Sequence, residues 1–152
     1  MRVIVFAGLA AVAFGLVAAK ADAVSEIRRH PGAYCHPQND ATAVDISYGT
    51  IGQLTNNNAS SSRTVICPVA AFAFMNGSDS LNVRAELSAS TPCTFRTATT
   101  DGFFLFGTSQ TASSVSLTLP GSDGVQTLTG NLRCALPPGA TLFSVTVNIT
   151  DN

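Results

Sequence analysis

The chain has no tryptophan, only two histidines and two tyrosines, and few charges. Asp, Glu, Lys and Arg make up 11% of its 152 residues, against roughly 25% in an average soluble domain. Sparse charge combined with 45% hydrophobic residues excludes intrinsic disorder, which needs the opposite balance. A formal net charge of −1 leaves no basic footprint, so no nucleic-acid partner is expected. The patterns GxGxxG and GxxxxGK[ST] are absent, which removes the usual nucleotide loops. No C-x-x-C occurs, and cysteine spacings of 32, 26 and 41 match no zinc pattern. Neither a metal nor another cofactor is expected.

What is present begins with an uncharged apolar run. Arg2 precedes Val3–Ala19, which ends in Lys20-Ala21-Asp22-Ala23. A positive start, an apolar middle and small residues at Ala21 and Ala23 mark a secretory signal peptide cut after Ala23. Ala19 is a second candidate cut. The rival reading, a retained anchor, sits at the lower edge of spanning length and is diluted by Gly8, Gly15 and repeated alanines. Export to the periplasm, cell surface or medium follows, with no membrane span once residues 1–23 are removed.

All four cysteines, Cys35, Cys67, Cys93 and Cys134, lie beyond that cut. An even count in an exported chain reads as two disulfides with three possible pairings. Cys35–Cys67 and Cys93–Cys134 are favoured, the first tying a polar arm to a strand and the second bridging two strands. Each closed loop would stabilise by about 3 to 4 kcal/mol.

After a polar arm at residues 24–43, apolar residues recur with period two. Val44, Ile46 and Tyr48 alternate with Asp45, Ser47 and Gly49, and Leu81, Val83, Ala85 and Leu87 with Asn82, Arg84 and Glu86. Further strands are predicted at Arg63–Cys67 (stopped by Pro68), Cys93–Thr97 (returning after a break at Ser90-Thr91-Pro92), Phe103–Gly107, Val115–Leu119 and Leu142–Thr150. Val125–Thr129 and Leu132–Leu136 read as one strand with a bulge at Gly130. Turn residues flank each, as at Asn76-Gly77, Asp101-Gly102 and Pro120–Gly124. About eight or nine short strands predict a single antiparallel β-sandwich over residues 44–152, with a β-barrel as the alternative. Ser and Thr total 32 residues, enough to keep so uncharged a surface wet.

Nucleophilic catalysis needs a base near the nucleophile, and His is the usual one. His30 and His36 both lie in the proline-broken arm, which suits packing better than metal or catalysis. Paired carboxylates could hydrolyse glycosides, but Asp79, Asp101 and Asp123 fall in turns, and Asp45 and Glu86 on wet strand faces. No catalytic site is expected. Three sequons begin at Asn58, Asn76 and Asn148. Tyr48 and the run Phe103, Phe104 and Phe106 are the candidate binding surface: alternation points one of those rings away from its neighbours, so either both faces are covered there, the favoured reading, or an apolar patch is exposed for a partner.

The arm H-P-G-x-x-C-x-P (His30 to Pro37), the V-x-C-P element (Val65 to Pro68) and C-x-L-P-P (Cys134 to Pro138) resemble small exported bacterial two-disulfide β proteins with no assigned biochemical role. The resemblance implies a secreted, two-disulfide β domain and carries over no functional residue. The expected function is a structural or binding component of the surface, envelope or matrix, its partner a protein or cell-surface component. Rivals are an inhibitor binding one enzyme through the loop Asn56–Ser62, and a hydrolase whose Asp45 and Glu86 converge only in the fold.

Overall fold

The computed structural model describes residues 24–72, 80–99, 104–120 and 128–151. Among these described residues, nine antiparallel strands form one sheet that folds over into a nearly closed, barrel-like sandwich. They are β1 (Val24–Pro31), β2 (His36–Pro37), β3 (Ile46–Tyr48), β4 (Leu54–Asn56), β5 (Arg63–Phe72), β6 (Ser80–Thr99), β7 (Phe104–Pro120), β8 (Leu128–Leu136) and β9 (Thr141–Asp151). Neighbours run β2-β5-β8-β6-β9-β4-β3, with β7 beside β6 and β1 beside β9. Among the described residues no helix is long and apolar enough to cross a membrane. The apolar run at residues 3–19 and the signal-peptide reading fall outside the described residues.

The sheet turns back on itself because β6 changes partner. Residues Ser80–Leu87 pair with β9, and Cys93–Thr99 with β8. β7 follows β6 on its other side through both halves, except that residues 87–90 oppose Ser113 alone. Extra residues on one strand bend it, and such bends make the corners of sandwiches. Burial keeps one phase through the corner: Leu81, Val83, Ala85, Leu87, Thr91, Cys93, Phe95 and Thr97 all point inward. From the other strands, Leu54, Val65, Val115, Leu132, Leu136, Leu142, Val145 and Val147 complete the core. Each such aliphatic side chain contributes about 1.5–3 kcal/mol by leaving water.

Several strand boundaries differ from expectation for one physical reason. Pro92 does not break β6, because it lies between the end of the β9 ladder and the start of the β8 ladder. Pro68 does not stop β5, because β2 pairs only with Val65 and Ile66 and leaves Pro68 on an open edge. A missing N–H is tolerated where no ladder bond is lost. Phe103–Gly107 and Val115–Leu119, expected as separate strands, belong to the single long β7 as far as they are described. Val44 lies in a 3-10 turn, Asp40–Asp45, rather than on a strand. The polar arm contributes β1, which pairs with β9 from Val24↔Asp151 to Pro31↔Ser144.

Gly130 marks a contact, not a bulge. β8 runs through it in unbroken register with β6, and the irregularity lies on β5 between Val69 and Phe72. A Cβ there would sit 2.8 Å from Cζ of the fully buried Phe95. Gly32 is tighter, since its Cβ would meet the Leu142 carbonyl oxygen at 2.0 Å. Both disulfides join the pairs favoured from the sequence. Cys93 and Cys134 are cross-strand partners on β6 and β8, and Cys35 leads into β2 beside Cys67 on β5. Closing loops of 32 and 41 residues stabilises by about 4 kcal/mol each on the chain-entropy account.

Candidate functional site

Alternation on β9, β6 and β7 sends one set of side chains to the core and the other to an outer face, which β1, exposed along its length, widens to four strands. The register aligns that outer set in rows. Arg29 opposes Thr146, Thr146 opposes Arg84, and Arg84 opposes Ser116. In the next row Ser144 opposes Glu86, which opposes Ser114. Long side chains on β1 and β6 thus flank short hydroxyls on β9. With strands about 4.8 Å apart, the two arginine walls stand about 10 Å from each other. The result is an open hollow of about 480 Å³ lined by Arg29, Arg84, Glu86, Ser144 and Thr146.

Hydrogen bonds fix the β6 wall. Arg84 Nε donates to Glu86 Oε1 at 2.6 Å, and its Nη2 to Ser114 Oγ at 3.3 Å. Ser114 Oγ lies 3.2 Å from the same carboxylate oxygen. Beside them Asn82 Nδ2 donates to Ser116 Oγ and Thr118 Oγ1 at 3.0 and 2.8 Å. The opposite wall is different. Arg29 is exposed on β1 and has no ion-pair or hydrogen-bond partner among the described residues. The hollow thus holds two guanidiniums and one carboxylate in a chain of net charge −1.

Two smaller hollows, each about 280 Å³, lie elsewhere. One, on the outer face of the β5-β8-β6 half, is lined by Thr64, Pro92, Thr94, Arg96, Arg133 and Ala135. The other holds Gln38, Asn39, Thr42, Ser62, Arg63 and Thr64. Arg133 donates to Gln38, and Arg63 Nε to Asp45 Oδ2 at 2.6 Å.

Of the carboxylates considered for catalysis, Asp45 and Glu86 are described, lie on different elements and are each engaged by an arginine. Asp45 pairs with Arg63 and Glu86 with Arg84. The hydrogen bond from Arg63, with a smaller contribution from Asn58, holds the Asp45 carboxyl below the usual range. Glu26 is likewise lowered by its hydrogen bond from Arg28 on β1. Asp79, Asp101 and Asp123 lie outside the described residues. No group of three or more His, Cys, Asp or Glu that could hold a metal occurs among the described residues. His30 instead stacks on Tyr34, ring centroids 4.6 Å apart.

Of the expected binding surface, Tyr48 is half-exposed on β3, and its hydroxyl lies 3.5 Å from the Cys35 carbonyl oxygen. Phe103, and the side chains of Phe104 and Phe106, lie outside the described residues. Arg29, Arg84, Ser144 and Thr146 were not singled out from sequence. The alternation of polar residues on the flanking strands was visible, but reading Arg29 as part of an irregular arm hid its place on the face.

No protein-family model matches the chain, and no curated protein matches it by sequence. Its fold is similar to that of TmCBM61, solved in complex with beta-1,4-galactotriose, with a TM-score of 0.51 and 5% identity over 84% of this chain and 88% of that one. The C-terminal CBM6 of LamC, a laminarinase from Zobellia galactanivorans, aligns with a TM-score of 0.41 and 9% identity over 80% of this chain and 98% of that one. At such identity the first likeness concerns the β-sandwich fold alone, and the second adds no argument.

Proposed function

We propose that the chain is exported, loses residues 1–23, and acts outside the cytoplasm as a non-catalytic binding domain whose ligand is a carbohydrate of the surface or matrix. The observation that carries this is the open hollow on the β1-β9-β6-β7 face. Hydroxyls of Ser144 and Thr146 form its floor, with the hydrogen-bonded Arg84–Glu86 pair on one wall. Donors and acceptors fixed on rigid strands suit a polyhydroxylated ligand, and a preorganised wall limits the ordering cost of binding. The two disulfides and the fold shared with a carbohydrate-binding module support the same reading.

The test is affinity electrophoresis of the oxidised chain starting at Val24 through gels containing neutral and acidic polysaccharides, with calorimetry on any that retard it. Saturable retardation without change in polymer length is expected. Indifference to every polysaccharide overturns the carbohydrate assignment, and shortened polymer overturns the non-catalytic one.

A second reading, a protein-binding inhibitor, draws on the loop Asn56–Ser62. Asn58 Oδ1 accepts from the backbone N–H groups of Ser60 and Ser61 at 3.0 and 2.8 Å, and Asn56 anchors the base. A one-to-one complex with a single enzyme, lost on rebuilding this loop, would favour it over the first.

A further inference from the structure

We infer that the hollow selects an anionic sugar and that Arg29 is the residue that reads the anion. The inference rests on the carbohydrate reading above and names the ligand class within it. Arg84 is already committed to Glu86 and Ser114. Arg29 stands across Thr146 from it, exposed and without a partner among the described residues. A guanidinium presents five donors in a planar fork that fits a carboxylate or sulfate in two parallel hydrogen bonds. Placing an anionic group on Arg29 leaves the rest of a sugar ring over Thr146 and Ser144, within reach of the Glu86 carboxylate as acceptor for its hydroxyls.

The charge pattern agrees. Arg29, Arg84 and Glu86 give the hollow a local excess of one positive charge, while the chain as a whole is net negative. Elsewhere on β1 the other cation, Arg28, is neutralised by Glu26 at 2.7 Å. Ile27, Arg29 and Pro31 alternate away from it toward the outer face, so Arg29 cannot join that pair without leaving the strand geometry. The anion can be a uronate carboxylate or a sulfate ester, which share this chemistry.

Calorimetry of the full oxidised chain against four polymers tests it: polygalacturonate, the same polymer with its carboxylates methyl-esterified, neutral galactan, and a sulfated galactan. At least tenfold tighter binding to polygalacturonate or to sulfated galactan than to its uncharged counterpart is expected, and whichever polymer shows it identifies the anion. Arg29→Gln abolishes that preference, lowering affinity for the charged polymer to that for its uncharged counterpart. Arg29→Lys keeps the charge but loses the fork, so it recovers part of the preference. Arg29 is exposed at a sheet edge, so far-UV circular dichroism should match the parent in both variants. Equal affinity for charged and uncharged polymers, or a preference untouched by Arg29→Gln, overturns the inference while leaving the carbohydrate reading standing. Failure to bind any of the four polymers overturns both.

Discussion

Replacing Gly130 with Ala tests whether this position is a close contact rather than a backbone irregularity. Gly130 is buried on β8 and is not among the glycines at positive φ, Gly52 and Gly139. Alanine can therefore take its backbone conformation without strain, and on backbone grounds alone should stabilise by about 0.4–1 kcal/mol. Against this, the new methyl would lie 2.8 Å from Cζ and 3.0 Å from Cε2 of Phe95, whose ring is fully buried and cannot swing into solvent. Overpacking of that kind costs about 1–3 kcal/mol, so the net loss should be about 1–2 kcal/mol. Shortening the neighbour supplies the internal control. Phe95→Leu removes the outer ring atoms at its own cost, and the double variant should be at least 1 kcal/mol more stable than the two single losses summed. Urea unfolding of the oxidised protein, followed by far-UV circular dichroism, measures all three. A Gly130→Ala protein as stable as the parent, or strict additivity in the double variant, would refute the contact argument.

Asn56 is fully buried, and its Nδ2 donates to the carbonyls of Leu136, Ser61 and Pro137 at 2.9, 3.0 and 3.1 Å. Asn56→Leu leaves those acceptors without this donor and should cost about 2–4 kcal/mol by urea unfolding, although it adds apolar surface. Asp45 has its carboxyl lowered by Arg63, so the native state favours the ionised form. The stability it contributes is present at neutral pH and is lost as acid protonates it below the ordinary carboxylate range, about pH 4. Between neutral and acid pH the parent should therefore lose more stability than Asp45→Asn, and parallel thermal-melt profiles of the two proteins would contradict this. On Arg29 binding a glycan, amide hydrogen exchange along residues 26–30 of β1 should slow, while amides of β5 and β8 stay as they were.

The period-two pattern carried the fold class because nearly every strand buries one face, as Leu81 to Leu87 on β6 show. The two disulfide pairs were legible for a related reason, each joining a strand or arm that the pattern had already located. Strand continuity was not legible at Pro92 and Pro68. Proline marks a missing ladder bond, and sequence alone does not reveal that a neighbour ends at that point. Gly130 misled in the same way, since its reason is a ring 35 residues earlier in the chain. The hollow was least visible of all. Arg29, Thr146 and Arg84 become neighbours only through the β1–β9 and β9–β6 registers, and registers between distant segments leave no local trace.

The partner switch of β6 divides the sheet into two halves, and the covalent cross-links are not shared between them. Both disulfides fall in the β2-β5-β8-β6 half, joining β6 to β8 and the β2 end to β5. The hollow lies in the other half, where β1 is held at the sheet edge by its ladder to β9 and Glu26, Ile27, Arg28 and Arg29 are all exposed. Charges on β1 discourage pairing with another chain, but they bury nothing that would fix the strand. Segments with exposed side chains and edge hydrogen bonds open at lower cost than the core. Arg84 is therefore the preset wall of the hollow and Arg29 the adjustable one. A ligand that engages Arg29 must also order β1, which lowers its affinity relative to a rigid site of the same contacts. The same arrangement lets the β1 wall accommodate anions at different positions on a sugar ring. Stiffening β1 should thus raise affinity for one anionic glycan while narrowing the range accepted.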